Sequence, residues 1–380
     1  MPSSSEYSIA AAGALPECCT YLETVGRTPM VRLSARSLPQ AVIDNDCRVL
    51  CKLEMQNPGG SLKDRIALGM IEAAEARGEI EAGKSTIIDF TSGNTGIGYA
   101  MVAAAKGYAC VVVMPRVRAM LERYLICRQF GAAVYLFNPA LGAAGCIKYI
   151  QELVASSAPG KYWWPNQLGN GDNPAAHEAH TGPEIWAQAG GNVDAFVHGI
   201  GTGGCVAGVG AFLKAKNPAC RVIALEPSES RVHVGAPPKP HGVVGWAPGV
   251  HSQFLAGFGE PPAALSDAPR GIVDEFGHVS AAEAVAMARH VTTREGMMVG
   301  PSSGAAIKYA LDVAARPEMR GKTVVVVVPS HGIRYVAHPL WAAVSAEAAV
   351  ALPADLVPCA DKEQPIILWA SDKDAAGVAK

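Results

Sequence analysis

Ala195-Phe196-Val197-His198-Gly199-Ile200-Gly201-Thr202-Gly203-Gly204-Cys205-Val206 is the stretch on which the fold turns. A short apolar run of strand type passes through a glycine-dense turn directly into 206–216, which has the composition of a helix. Strand, tight turn, helix is the repeating unit of a parallel sheet covered by helices. The unit recurs in both directions along the chain. Runs at 48–53, 86–89, 109–114, 133–137, 195–198, 221–225 and 323–328 read as strands, and 66–77, 96–106, 119–130, 141–156, 206–216, 281–295 and 304–314 as helices. Several of the strands are apolar at consecutive positions, as strands buried on both faces are. The expectation is an α/β fold with two open, twisted, mostly parallel sheets flanked by helices.

The 380 residues give a prior of about two domains. A first alternating block, 55–165, closes at the aromatic and proline cluster 162–165, and a second continues to about 340. Residues 233–262 hold six prolines and six glycines and read as a long irregular connection. The ends, 1–25 and 341–380, read as an extension and a loose tail. With 32 Lys and Arg against 34 Asp and Glu, no basic surplus exists to grip nucleic acid or an anionic membrane. The purest apolar run, 324–328, is far below the ~20 residues of a membrane span. The 10 cysteines show neither C-x-x-C pairs nor a disulfide rhythm, which suggests free thiols in a reducing compartment. The first 20 residues carry Glu6 and Glu17 but no Lys or Arg, so a cytoplasmic location is expected.

Four turns concentrate chemistry. Gly59-Gly60-Ser61-Leu62-Lys63-Asp64-Arg65 places a lysine where a strand gives way to a helix, with Ser61 or Asp64 available as a cap. Thr91-Ser92-Gly93-Asn94-Thr95-Gly96 offers hydroxyls, an amide and free N–H groups at a helix start, which suits a carboxylate or phosphate. Gly199, Gly201 and Gly204 satisfy G-x-G-x-x-G with Glu226 further on, so a dinucleotide site and a one-phosphate cup are both open. Gly300-Pro301-Ser302-Ser303-Gly304 is the fourth. Alone, Lys63 reads as a solvated loop lysine, the second and fourth turns as simple helix caps, and the third motif is weak. His177 and His180 lack zinc-motif spacing and read as a surface helix start, and no metal site is expected. In combination, one lysine, one carboxylate turn, one phosphate cup and one serine turn are the parts that a pyridoxal-phosphate enzyme needs.

The strings GRTPMVRL, NPGGSLKDRIA, TSGNTGIG, HTGPEIW, GIGTGGCVAGVG, LEPSES and VGPSSGAA, in this order, carry a resemblance to a family that spans Gly26 to Pro339. The chain is similar to the fold-type II pyridoxal-phosphate enzymes (the tryptophan synthase β-like fold), specifically cysteine synthase (O-acetylserine sulfhydrylase) and the core of cystathionine β-synthase. The resemblance implies that Lys63 forms the Schiff base and acts as acid and base. Asn94 would meet the cofactor's phenolic oxygen and Ser302 its pyridine nitrogen. Gly201, Thr202, Gly203, Gly204 and Cys205 would bind the phosphate of pyridoxal 5'-phosphate. Thr91, Ser92, Gly93 and Thr95, with Gln167, would hold the substrate carboxylate. It also implies a large domain, 26–54 with 166–340, a mobile smaller one, 55–165, and a homodimer. The implied reaction is β-replacement through an aminoacrylate, with O-acetylserine or a related β-substituted serine and sulfide as substrates.

Departures from the family pattern cluster where substrate choice is made. Cys205 replaces a usual threonine, and 114–123 is one residue longer before its Leu-Glu-Arg than the usual MPETMSLERR and adds Arg116 and Arg118. Asn166-Gln167 stands for paired glutamines, Val243-Val244-Gly245-Trp246-Ala247-Pro248-Gly249-Val250 for IQGIGAGF, and Pro301 for isoleucine. The alternatives are therefore cystathionine or β-cyanoalanine synthesis, a non-catalytic family member, and a nicotinamide-dependent oxidoreductase.

Overall fold

The computed structural model describes residues 18–351 except 92, 118–119, 247–248, 250 and 256–270. Its strands are β1 Met30–Arg32, β2 Arg48–Lys52, β3 Thr86–Phe90, β4 Ala109–Pro115 and β5 Ala133–Phe137. They continue with β6 Tyr162–Trp163, β7 Ala195–Gly199, β8 Arg221–Pro227, β9 Glu275–Val279 and β10 Thr323–Val327. One sheet has the order β1-β2-β10-β7-β8-β9, the other β5-β4-β3-β6. Only the β1–β2 pair is antiparallel; the other pairings are parallel.

The valine run explains itself here. β10 is flanked by β2 and β7, and its residues alternate between two cores. Val324, Val326 and Val328 pack with Leu311 and Val299, whereas Val325 and Val327 pack with Phe196 and Val209. A strand buried on both faces has no polar alternation to show. The four-stranded sheet repeats the pattern, with Ile87 and Val112 on one face and Ile88 and Val113 on the other.

All seven expected strands form. β1, β6 and β9 escape sequence reading because two are only three and two residues long, and β9 carries Glu275, Gly277 and His278 among its five. Four of the seven expected helices start two or three residues earlier than read: Lys63–Ala76, Asn94–Lys106, Gly204–Lys216 and Pro301–Ala314. Glycine and hydroxyl residues read as turns lie in the first helical turn instead. His177 is not at a surface helix start. It is fully buried in a π-helical turn, His177–Thr181, between the helices Asp172–Ala176 and Gly182–Gln188, and its Nδ1 meets Thr181 Oγ1 at 3.0 Å. A helix at Ala342–Ala351 opens the expected tail; 1–17 and 352–380, including Cys359, lie outside the described residues. The other nine cysteines are free thiols. Among the described residues no helix is long and apolar enough to cross a membrane.

Candidate active site

Lys63 reaches its position because its turn is stitched to the end of β10. Leu62 N–H donates to Pro329 O at 2.8 Å, Ser61 pairs with Ser330, and Ser61 Oγ accepts the Lys63 amide at 3.2 Å. Asp64 caps nothing; its Oδ2 accepts Gly59 N–H at 2.6 Å, and burial pushes its carboxyl up to about 7. Two residues on, Arg65 clamps the helix to the six-stranded sheet. It donates to Glu54 at 2.6 and 2.8 Å and to Glu184 at 2.8 and 2.7 Å. Lys52 Nζ donates to the same Glu184 at 2.6 Å. Burial alone would raise the Glu184 carboxyl, but hydrogen bonds from Arg65 and Lys52 hold it down at about 2.

A cleft of about 160 Å3 gathers Lys63, Thr91, Gly93, Asn94, Thr95 and Gln167 with Gly201 and Thr202. Four separated stretches of sequence thus meet at one place. Gly203, Gly204 and Cys205, next along the chain, and Ser302, far from them in sequence, are buried but do not line the cleft, and Ser92 lies outside the described residues. Burial pushes the Lys63 ammonium below the usual lysine value. Burial and then the charge of Lys63 push His198 down to about 3 and His177 well below its ordinary range. Burial raises the Cys205 thiol. Burial thus favours the neutral amine, the form that acts as nucleophile and base, over the ammonium.

The Thr91 turn is already wired. Thr91 Oγ1 accepts Gly93 N–H at 3.1 Å, Thr95 Oγ1 donates to Gln167 Oε1 at 2.7 Å, and Gln167 Nε2 donates to Phe90 O at 3.2 Å. Asn94 Oδ1 accepts from Arg334 at 3.0 Å, and its Nδ2 donates to Tyr335 Oη at 3.4 Å. At the other turn, Asn173 Nδ2 and Gly204 N–H both donate to Thr202 Oγ1, at 3.0 and 3.3 Å. Gly203 has φ +88, and a Cβ there would stand 1.9 Å from Ser252 Oγ. Only glycine fits both the angle and the space.

Phe90, Arg123, Trp246 and Tyr335 also line the cleft. Arg123 sits 5.0 Å from the Tyr335 ring centroid. Arg123 and Trp246 stand in strings that sequence reading singled out only as departures; Tyr335 and His198 carry no local motif at all. Glu226, the acid that a dinucleotide site would turn toward a ribose, is fully buried against His233 instead.

Residues 21–330 match the family model described as pyridoxal-phosphate dependent enzyme. A cysteine synthase of Staphylococcus aureus (strain Mu50 / ATCC 700699) is 42% identical over 320 residues, 84% of this chain and 96% of the relative. The crystal structure of an O-ureido-L-serine synthase matches with TM-score 0.77 at 32% identity, covering 96% of this chain and 100% of the other. That of O-acetyl serine sulfhydrylase isoform 3 from Entamoeba histolytica matches with TM-score 0.77 at 38% identity, covering 87% and 93%.

Proposed function

The chain belongs to the pyridoxal-phosphate dependent enzyme family, and from that premise we propose that it is a cysteine synthase, which replaces the acetoxy group of O-acetylserine by sulfide and releases L-cysteine and acetate. The observation that carries this reading is the meeting of Lys63, the Thr91 turn and the Gly201 turn around one cleft.

The residues suit pyridoxal 5'-phosphate. The Gly203 and Gly204 backbone leaves a cradle that a Cβ would fill, since one at Gly204 would stand 2.1 Å from Asn173 Oδ1. The N–H groups of Gly203, Gly204 and Cys205 open the helix Gly204–Lys216, where the helix dipole favours an anion. Those groups, with Gly201 and Thr202, hold the phosphate; the Cys205 thiol replaces a hydroxyl donor, and the backbone does the work. Asn94 and Ser302 orient the ring. When bound, the cofactor supplies a carbonyl carbon for amines and an electron sink for the substrate's α-carbon. Lys63 would supply the amine that anchors the cofactor through that carbonyl carbon, and its Nζ would take the α-proton of the amino-acid substrate and return it. Thr91, Ser92, Gly93 and Thr95 bind the substrate carboxylate, and Gln167 fixes the Thr95 hydroxyl.

We place this chemistry in two domains, 26–54 with 166–340 and 55–165, in a cytoplasmic homodimer. Supporting the division, β3 to β6 make one sheet and the remaining strands the other. The test is to record the visible spectrum of the purified protein, reduce it with borohydride, and assay O-acetylserine with sulfide, homocysteine and cyanide side by side. Label on Lys63 and fastest turnover with sulfide are expected. Preference for homocysteine or cyanide would transfer the enzyme to cystathionine or β-cyanoalanine synthesis. A Lys63 adduct without turnover on any pair would leave a binding protein.

A further inference from the structure

The Thr202 turn is pinned by a chain of buried hydrogen bonds that the proposed reaction does not use. Glu226 in β8 and His233 in the 3-10 turn Val232–Val234 are fully buried, and Ser252 and Thr202 nearly so. Glu226 Oε1 accepts the backbone N–H of His233 at 2.8 Å and lies 2.7 Å from its Nδ1. His233 Nε2 receives the backbone N–H of Ser252 at 3.0 Å. A backbone amide can only donate, so Nε2 is the bare nitrogen and Nδ1 carries the hydrogen that Glu226 accepts. The ring is therefore neutral and fixed at both ends. Ser252 Oγ, in turn, donates to the Thr202 carbonyl at 2.7 Å.

A trans peptide is planar, and its C=O and following N–H point opposite ways. Holding the Thr202 carbonyl on Ser252 aims the Gly203 N–H away from Ser252. The contact is closed as well, because no side chain fits between Gly203 and the Ser252 hydroxyl. We propose that Glu226, His233 and Ser252 are positioning residues for the cofactor phosphate, a relay that fixes the Thr202–Gly203 peptide and thereby the aim of its N–H. The inference rests on the phosphate lying in the 201–205 turn.

The test titrates cofactor-free protein with pyridoxal phosphate and, separately, with pyridoxal, which lacks the phosphate. Parent, Ser252→Ala, His233→Asn and the double variant are compared, with phosphorus NMR of each loaded enzyme. Loss of one neutral hydrogen bond should weaken pyridoxal phosphate about three- to tenfold in either single variant while leaving pyridoxal unchanged. His233→Asn keeps a donor for Glu226 and loses the acceptor for Ser252. Because the links act in series, the double variant should be no weaker than the worse single one, and the phosphorus resonance should move in all three. Ser252→Thr, which restores a hydroxyl, should recover affinity and carries the test should His233→Asn not fold. Variants that melt earlier yet bind pyridoxal phosphate as tightly as the parent, with the resonance unmoved, would reduce the relay to packing. Equal weakening of pyridoxal would overturn it too. Gly203→Ala separates the two levels. Parent affinity and resonance in that variant remove the phosphate from the turn; selective weakening there, without any in the relay variants, removes only the relay.

Discussion

Two lysines flank the Glu54–Gly60 turn, and burial pushes both below the usual lysine value. Lys52, fully buried at the end of β2, donates to Thr28 O at 2.6 Å, Glu184 Oε2 at 2.6 Å and Gln188 Oε1 at 2.8 Å. Lys63, the first residue of its helix, has no carboxylate paired with it among the described residues; Cys205, His177 and His198 are among its ionisable neighbours, and Arg123 and Tyr335 share its cleft. The difference teaches that residue type and burial do not make a lysine reactive. Three acceptors turn one amine into a structural tie, and their absence leaves the other free to form and break bonds.

The sharpest break of this contrast is Lys63→Ala. Turnover of O-acetylserine and sulfide should fall by ~10^2–10^4-fold or more, because among the described residues no second lysine lines the cleft. The cofactor-free variant should melt no earlier than the parent, since no ion pair is lost. Steady-state kinetics and a thermal melt check both halves, and retained turnover would sink the assignment. Lys52→Met should do the reverse. Removing one partner of a buried ion pair typically costs about 3–5 kcal/mol, and because Arg65 remains on Glu184 we expect about 3 kcal/mol. Urea unfolding of the cofactor-free protein measures this, and an unshifted midpoint would strip Lys52 of its structural role; kcat of the folded fraction should hold.

Per pH unit the smallest effect, which sharpens the comparison through a carboxylate, is at Asp64. Burial raises folded Asp64 to about 7 from its ordinary 3.8. Between those values the folded protein holds a proton that the unfolded chain has released, so stability should fall as pH rises through the window. The slope contributed by this one group is at most about 1.4 kcal/mol per pH unit. Asp64→Asn should remove that slope between pH 4 and 7 while leaving the pH dependence outside it unchanged. Unfolding midpoints at several pH values test this; an identical slope in the variant would mean that Asp64 ionises normally.

The strand–helix alternation was legible because apolar runs and glycine turns are local signals. The meeting of Lys63, Thr95 and Gly201 was legible only through three motifs taken together, since nothing in 30 residues of chain reports what faces it across a cleft. His233, Ser252 and Tyr335 were not legible for the same reason. Their roles arise from partners brought in by folding, as with Ser252 against Thr202. His177 misled because a helix-compatible pattern of Ala, Glu and His looks solvated, whereas the π-helical turn rotates the ring into the core.

Trp246 is nearly buried over Gly199, where a Cβ would stand 1.7 Å from the indole Cε2, and it also walls the cleft. The pair imposes an order on evolution and on engineering. While the indole is present, position 199 admits nothing larger than glycine. Once Trp246 has become small, position 199 is released and a side chain there can refill the gap. A lineage or library that seeks a wider pocket must therefore change 246 first, and one that fixes 199 afterwards has closed the road back to tryptophan.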